Sequence, residues 1–233
     1  MSKAGYEQIG VAMTCRGYEE YRHMFDLTER HLSGGDILDV AAGGSSFTAE
    51  ARERGFSAYA VDPRYAGGAE AWIAEAAEEI EVSTAKLAKL ADSFDWSYYG
   101  SIDNHRRGRE ASLRMFREHA ISSEGAPCYH SGKLPSLSYE NGRFSLVLCS
   151  HFLFLYGSHF GESFHRDAVR ELMRITKPGG EVRIYPLITL EWNRYEGLDA
   201  LLDIIRQEGG TPEILHSKLP FIPGSEHYLR IKL

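Results

Sequence analysis

The stretch Asp36-Ile37-Leu38-Asp39-Val40-Ala41-Ala42-Gly43-Gly44-Ser45-Ser46-Phe47 decides the fold of this 233-residue chain. An apolar run that contains Asp39 gives way to very small residues, and helix-forming sequence follows. A strand that leads through small residues into a helix N-terminus lets a nucleotide-like cofactor approach bare backbone. A second apolar run, Ala58-Tyr59-Ala60-Val61, ends in Asp62. We therefore expect a carboxylate at the tip of the next strand, where it suits the diol of a ribose.

The small-residue turn distinguishes between two classes of cofactor. A dinucleotide site needs the glycines of G-x-G-x-x-G, which admit a pyrophosphate, and this turn has only Gly43 and Gly44. The carboxylate of Asp39 would repel a diphosphate but would favour a cationic sulfonium or ammonium group. The turn therefore favours S-adenosylmethionine over NAD as the cofactor.

Three later segments, Lys133-Leu134-Pro135, Phe144–Ser150 and Lys177-Pro178-Gly179-Gly180, follow in that order. With the turn and Asp62, they make the chain resemble the class I S-adenosylmethionine-dependent methyltransferase family over roughly residues 33 to 190. The resemblance implies an α/β, Rossmann-like, mostly parallel seven-stranded sheet with an antiparallel last strand. It also implies that Asp39, Gly43 and Asp62 contact the cofactor.

The chain departs from the family pattern at the cofactor site. Ala41 and Ser45 stand where many members of the family carry glycine. His130 stands where an acidic residue near the adenine amine is often found. We expect adenine recognition to depend on His130, Ser131 or backbone groups, and cofactor contacts to include Ala41 and Pro63.

Alternating strands and helices predict the organisation of the chain. Residues 1 to 32 are predicted as N-terminal helices from the helical spacing of their aromatic residues. The strand–helix alternation that follows indicates a mostly parallel sheet. Residues 67 to 122 are too long for a plain crossover and are predicted as a crossover helix plus an inserted helical cap. Residues 212 to 221 and 226 to 232 are predicted as a closing antiparallel pair, within a single methyltransferase-like domain over residues 1 to 233.

Charge and cysteine usage limit the partners. A net charge of −7 argues against nucleic-acid binding, and the basic cluster Arg106-Arg107-x-Arg109 is interpreted as a solvated helix end rather than an anion-binding patch. Three widely spaced cysteines indicate free thiols in a reducing compartment. The first seven residues lack an apolar signal core, and no run reaches membrane-spanning length. We expect a cytoplasmic protein without membrane or nucleic-acid partners, and a homodimer stays open.

The stretch Ser150–Gly157 is expected to face the reacting carbon, because it follows the fourth strand and is rich in aromatic residues that stabilise a sulfonium. Ser150 is predicted to contact the cofactor. His151 is a candidate catalytic residue that would hydrogen-bond the methionine amine or act as a base, although a structural role is equally compatible with the pattern. Tyr156 is a second catalytic candidate.

The N-terminal helix and the cap are expected to close over this pocket. The predicted covering residues are Arg16, Tyr18, Tyr21, Trp96, Tyr98 and Tyr99. Arg16 could clamp the methionine carboxylate bidentately, and Tyr21 would contact the cofactor. No metal-binding motif is visible, so we expect no metal.

Three functions use the predicted cofactor. The preferred hypothesis is in-line methyl transfer to a small-molecule metabolite, since an enclosed cap favours a metabolite over a macromolecule. The alternative is attack on the Cγ carbon of the aminocarboxypropyl arm with release of methylthioadenosine, as in the intramolecular cyclisation to azetidine-2-carboxylate. A further alternative is a non-catalytic S-adenosylmethionine-binding domain. An NAD oxidoreductase is disfavoured because the phosphate-binding glycines are absent.

Overall fold

The computed structural model describes residue 8 and residues 10–233. A seven-stranded sheet with the order β3-β2-β1-β4-β5-β7-β6 forms its centre. The strands are β1 (Ile37–Val40), β2 (Ala58–Val61), β3 (Tyr129–His130), β4 (Phe144–Ser150), β5 (Thr176–Tyr185), β6 (Thr211–His216) and β7 (His227–Lys232). Strands β1 to β5 pair in parallel, whereas β7 is antiparallel to both β5 and β6. The predicted mostly parallel sheet with an antiparallel last strand is confirmed.

Helices cover both faces of the sheet. They are α1 (Tyr18–Met24), α2 (Glu29–Leu32), α3 (Phe47–Glu53), α4 (Ala69–Lys89), α5 (Ile102–Ile121), α6 (Glu162–Ile175) and α7 (Leu198–Gln207), with 3-10 helices at Pro63–Ala66, Ala91–Ser93 and Ala126–Cys128. Across the described residues, no helix combines the length and the apolar character that a bilayer crossing requires.

The central strands are buried on both faces, as their continuous apolar sequence requires. In β4, Leu146 and Leu148 pack into the cluster that contains Phe25 and Phe47, whereas Val147 packs on the opposite face with residues of α6 and α7. Side chains alternate between faces in a strand, so one apolar run supplies both cores. The order of the strands in the sheet changes direction between β1 and β4, which is the switch point of the sheet. Open α/β sheets bind their ligands at this point, at the carboxyl ends of the strands.

The prediction of helix throughout residues 1 to 32 is wrong for residues 10–17. These residues, named here the N-terminal strap, contain no helix or strand and cross the small-residue turn. The carbonyl of Thr14 accepts from the N–H of Gly44 at 3.2 Å, and that of Arg16 accepts from the N–H of Ser46 at 3.0 Å. Pairing with the turn replaces the helical hydrogen bonds. Residues 1–7 and 9 lie outside the described residues. The prediction that the first seven residues lack a signal core concerns that part of the chain.

The long segment between β2 and β3 contains α4 and α5, which pack against each other. Helix α5 also contacts the start of α3, where the hydroxyl of Ser46 donates to that of Ser112 at 2.9 Å. The third strand is short, because Ala126–Cys128 forms a 3-10 helix and only Tyr129–His130 pairs with β2. Pro127 has no N–H to donate to a sheet, which explains the shorter strand.

The strap depends on the absence of a side chain at Gly44. A Cβ on Gly44 would lie 2.8 Å from Cys15 Sγ and 3.0 Å from Ala76 Cβ. We expect Gly44→Ala to lower the free energy of unfolding by about 1–3 kcal/mol, as overpacking typically does. Urea denaturation measures this change.

Gly108→Ala is the matched control, because Gly108 lies inside α5 and a Cβ there meets no atom within 4 Å. It should raise stability by about 0.5–1 kcal/mol, the usual helical advantage of alanine over glycine. Equal destabilisation by both substitutions would contradict the close approach of the strap.

Candidate functional site

Three cavities follow one another along the carboxyl ends of β1, β2 and β4. The outer cavity includes Asp62, the small central cavity includes Ala41 and Ser150, and the large cavity has about 780 Å³ of empty volume, which includes open solvent. Ala41 lines both the outer and the central cavity, and Arg16 and His151 line both the central and the large cavity. The three cavities therefore adjoin one another, and together they are named here the cleft.

The small-residue turn presents alanines to this cleft. Ala41 has a φ of 55°, and Ala41 and Ala42 line the central cavity. Gly43 does not line the three cavities: its N–H donates to Asp62 Oδ2 at 3.1 Å and its carbonyl accepts from the Tyr65 hydroxyl at 2.6 Å. The strap covers Gly43, since a Cβ there would lie 3.3 Å from the backbone of Thr14. The structure thus brings Ala41 to the cleft and leaves Gly43 beneath the strap.

Asp62 lies at the carboxyl end of β2, as the sequence predicts, and lines the outer cavity together with Pro63. Its Oδ1 accepts from the N–H of Arg64 at 3.0 Å and its Oδ2 accepts from the N–H of Gly43. Burial raises the pKa of this carboxyl, against the effect of the two backbone donors. A carboxylate has about four lone-pair sites, so both oxygens can accept further hydrogen bonds from a ligand.

The backbone after β3 reaches the outer cavity through other residues than predicted. His130 Nδ1 contacts the Tyr139 hydroxyl at 2.8 Å and Nε2 contacts the Pro127 carbonyl at 3.0 Å, so both ring nitrogens are occupied. His130 and Ser131 line a neighbouring cavity, which shares Gly132 with the outer cavity. The segment 132–134 is the part of this loop that lines the outer cavity.

Asp39 is fully buried beneath the central cavity, one hydrogen bond away from it. The hydroxyl of Tyr21, which lines the cavity, donates to Asp39 Oδ2 at 2.9 Å. Within the described part of the chain, Asp39 Oδ1 has no hydrogen-bond partner. Burial raises the pKa of Asp39 to about 8. A buried carboxyl with an unpartnered oxygen is a group that a nearby cation would stabilise.

Arg16 supplies an available positive charge to the cleft. Its guanidinium has no hydrogen-bond or salt-bridge partner among residues 8 and 10–233, whereas its carbonyl accepts from Ser45 and Ser46. Burial, and then the neighbouring charge of Arg109, lower the pKa of Arg16. Because arginine binds carboxylates through several parallel donors, this position suits an anionic group.

The two predicted catalytic residues both lie on the cleft. His151 adopts a φ of 52°, and its Nδ1 lies 2.8 Å from the Ser150 hydroxyl. Burial lowers the pKa of His151 well below its usual value, so the ring is neutral at neutral pH. Tyr156 lines the large cavity, and its hydroxyl accepts from the N–H of Ala12 at 2.9 Å. Burial raises the pKa of Tyr156, which disfavours its anionic form.

Sequence reasoning missed a buried polar cluster in the wall of the large cavity. Arg109 Nη1 donates to both carboxylate oxygens of Glu20, at 2.6 and 2.8 Å, and Nη2 contacts Tyr99 and His105 at 3.1 Å each. The interpretation of the basic cluster as a solvated helix end is wrong for Arg109, which is 3% exposed. The sequence signal for the burial of Arg109 was its helical spacing. The buried residues of α5 recur every three or four positions and are His105, Arg109, Ser112, Phe116 and Ala120.

The six predicted covering residues divide into two groups. Arg16, Tyr21 and Tyr99 line the cleft, whereas Tyr18, Trp96 and Tyr98 do not line its three cavities. Tyr18 instead stacks on Phe47 with ring centroids 5.8 Å apart. The aromatic residues outside the cleft therefore support the covering elements from behind.

The cysteines and acidic residues do not form a cluster. Cys15, Cys128 and Cys149 are all buried free thiols. In the portion of the chain that the structure describes, no three side chains of the metal-binding types lie together as a metal site would need.

Comparisons with known proteins identify the fold. No model of a known protein family matches this chain. An uncharacterized protein of Methanocaldococcus jannaschii is 29% identical over 188 residues, which cover 80% of this chain and 82% of that protein. The crystal structure of magnesium protoporphyrin IX methyltransferase from Synechocystis with bound S-adenosylmethionine has a TM-score of 0.50 and 12% identity, covering 87% of this chain and 72% of that one. A methyltransferase of Methanosarcina mazei has a TM-score of 0.48 and 11% identity over 87% and 93% of the two chains.

The likeness to the Synechocystis structure, at 12% identity, is a likeness of fold. The chain has the Rossmann-like fold of class I S-adenosylmethionine-dependent methyltransferases, as the sequence resemblance implied. Sequence identities this low identify the fold alone. The reaction has to be inferred from the residues of the cleft.

The raised pKa of Asp39 predicts how stability depends on pH. Between about pH 4 and pH 8 the folded protein holds a proton that the unfolded chain has released, so the free energy of unfolding falls as pH rises through this range. Asp39→Asn places an uncharged group of similar shape there. We expect the variant to lose less stability than the parent between pH 5 and pH 8, as measured by urea denaturation. Parallel pH profiles for the two proteins would contradict a buried, protonated Asp39.

Proposed function

We propose that this protein binds S-adenosylmethionine in the cleft and transfers its methyl group to a small molecule held in the large cavity. The observation that supports this function is the series of three adjoining cavities at the switch point of the sheet. Their order matches the three parts that the reaction must bring together: an adenosine, a methionine arm with its sulfonium, and an acceptor. The cofactor in the Synechocystis structure supports the assignment by fold analogy.

The outer cavity suits the adenosine. Asp62 would accept hydrogen bonds from the ribose hydroxyls with the lone pairs that its backbone donors leave available. Backbone groups at 132–134 would meet the adenine edge, and Phe152 and Leu134 offer apolar surfaces to its faces. Aromatic and aliphatic walls with a few polar groups are typical of such sites.

The central cavity suits the methionine arm. Arg16 would pair with the carboxylate, since its guanidinium otherwise lacks a partner among the described residues. The Tyr21–Asp39 pair would stabilise the ammonium, because the unpartnered Oδ1 of Asp39 makes the region beneath the cavity favour a cation. Ser150 and His151 complete the wall on the β4 side. This chain thus offers one cationic and one acidic group to the two ends of a zwitterion.

Methyl transfer would occur where the central and large cavities meet, beside His151. S-adenosylmethionine supplies the electrophilic methyl group when bound. The protein residues exclude water, orient the acceptor in line with the breaking bond and receive a proton from it. The neutral ring of His151 lies at this junction with a lone pair for that proton, although the burial that lowers its pKa also makes it a weaker base.

A second reaction with the same cofactor has one favourable observation. The neutral imidazole of His151 lines the central cavity, where it could accept a proton from the cofactor's own ammonium. The released amine would attack the Cγ carbon, form azetidine-2-carboxylate and expel methylthioadenosine. The large cavity would then have no acceptor to hold, which is why we prefer methyl transfer.

Asp62→Ala tests the cofactor site. Loss of charged hydrogen bonds to the ribose should cost about 1.5–3 kcal/mol and raise the dissociation constant of S-adenosylhomocysteine at least tenfold in calorimetry. Asp36→Ala is the control, because Asp36 lies at the opposite end of β1 and pairs with Arg143 at 3.0 Å. An unchanged constant in a folded Asp62→Ala protein, verified by circular dichroism, would refute the ribose role.

The sulfur-containing product separates the two reactions. We expect no turnover of S-adenosylmethionine alone, and S-adenosylhomocysteine after a metabolite mixture is added. Liquid chromatography with mass spectrometry identifies both. Methylthioadenosine formed without any acceptor would overturn methyl transfer in favour of cyclisation, and binding without turnover in every mixture would indicate a sensor domain.

A further inference from the structure

Unpartnered polar atoms concentrate in the walls of the large cavity. Among the residues that the structure describes, six side chains carry a buried polar atom without a hydrogen-bond partner. Three of the six, Glu79, His105 and Arg109, line this one cavity. Buried groups without partners are rare because they lose the hydrogen bonds of water. Their concentration here indicates a ligand that satisfies them.

The two unpartnered atoms on α5 are hydrogen-bond donors. Arg109 Nη2 lies 3.1 Å from His105 Nε2, and a guanidinium can only donate, so Nε2 accepts and the proton of the neutral ring is on Nδ1. Burial lowers the pKa of His105 to about 2, which keeps the ring neutral. The unpartnered atoms are His105 Nδ1 and Arg109 Nε. Both are N–H groups, and they suit the oxygens of a carboxylate.

The unpartnered atom on α4 is an acceptor. Oε1 of Glu79 lacks a partner, and Ser83 and Leu87 follow Glu79 along the same helix face and line the same cavity. Burial raises the pKa of Glu79, and a bound ammonium group would offset that effect. The α4 wall therefore suits an amine.

Much of the remaining lining of the large cavity is apolar and aromatic. It includes Leu87, Phe94, Leu190, Trp192, Leu219 and Phe221. His105 stacks on Phe221 with ring centroids 5.4 Å apart, which holds the imidazole in place. A ligand whose charged groups pair with the unpartnered atoms would place its apolar part against these residues.

We propose that the large cavity binds an amino acid with an apolar side chain, its carboxylate on His105 and Arg109 and its ammonium on Glu79. The identification of this amino acid as the methyl acceptor rests on the proposed function, whereas its binding does not. Arg16, which also lines the large cavity, remains with the carboxylate of the cofactor.

Three probes that share one phenylethyl unit test the two polar contacts separately. They are L-phenylalanine, 3-phenylpropanoate, which lacks the amine, and 2-phenylethylamine, which lacks the carboxylate. Each is titrated by calorimetry into protein saturated with S-adenosylhomocysteine, so that the methionine subsite is occupied. We expect L-phenylalanine to bind at least tenfold more tightly than either truncated probe, about the loss for one charged hydrogen bond.

Two variants assign the contacts. His105→Gln offers its amide oxygen to Arg109 Nη2 but has no polar atom at the position of Nδ1, so it should weaken L-phenylalanine and 3-phenylpropanoate about tenfold and leave 2-phenylethylamine unchanged. Glu79→Gln should weaken L-phenylalanine and 2-phenylethylamine and leave 3-phenylpropanoate unchanged. Both variants should bind S-adenosylhomocysteine with the affinity of the parent protein.

The outcomes separate this proposal from the proposed function. Normal affinity for S-adenosylhomocysteine with equal or absent binding of the three probes would overturn the amino-acid site alone. Absence of S-adenosylhomocysteine binding would overturn the cofactor assignment, and the probe titrations without it would still support or refute the amino-acid site. Variants that weaken all three probes equally would show a structural effect and contradict the assigned contacts.

Discussion

The buried ion pair between Glu20 and Arg109 connects the elements that cover the cleft. Its side chains are 9% and 3% exposed, and it joins α1 to α5. Arg109 Nη1 also donates to the carbonyl of Cys15 at 2.6 Å, which attaches the N-terminal strap to the same point. Removing one partner of such a pair costs about 3–5 kcal/mol, because the other charge stays buried without compensation. The strap, α1 and the long segment after β2 therefore keep their positions over the cleft through one shared contact.

The protein treats its buried charges in two ways. Glu20 is satisfied completely, by Arg109, by the hydroxyl of Tyr99 and by the N–H of Gly17 at 2.8 Å. Asp39 and Arg16, by contrast, each retain capacity for a partner, and both are at the central cavity. An unsatisfied buried group lowers stability, and functional sites are where natural proteins accept that cost. The contrast separates the groups that build the cleft from those available to a ligand.

Prediction from the sequence succeeded where the signal was local. The small-residue turn, Asp62 after a four-residue apolar strand, and the aromatic stretch from Ser150 all lie at the expected strand ends. It failed where a contact was distant in sequence. Arg109 looked solvated because its immediate neighbours are charged, yet its partner Glu20 is 89 residues away. His130 is a local exception: it is the last residue of β3, and the nearby residues Tyr139 and Pro127 occupy its ring nitrogens.

The sequence by itself determined the alternation of strands and helices, the mostly parallel sheet, and the two acids, Asp39 within one strand and Asp62 at the end of its neighbour. The periodicity of apolar residues and the chemistry of small-residue turns act within about ten residues, so both can be recognised from the sequence alone. Only the tertiary structure decided that Ala41 rather than Gly43 meets the cleft, that the strap crosses the turn, and that the walls of the large cavity carry unpartnered donors and an acceptor. Those features depend on which side chains meet across long loops, and burial and pairing there follow from packing rather than from local pattern.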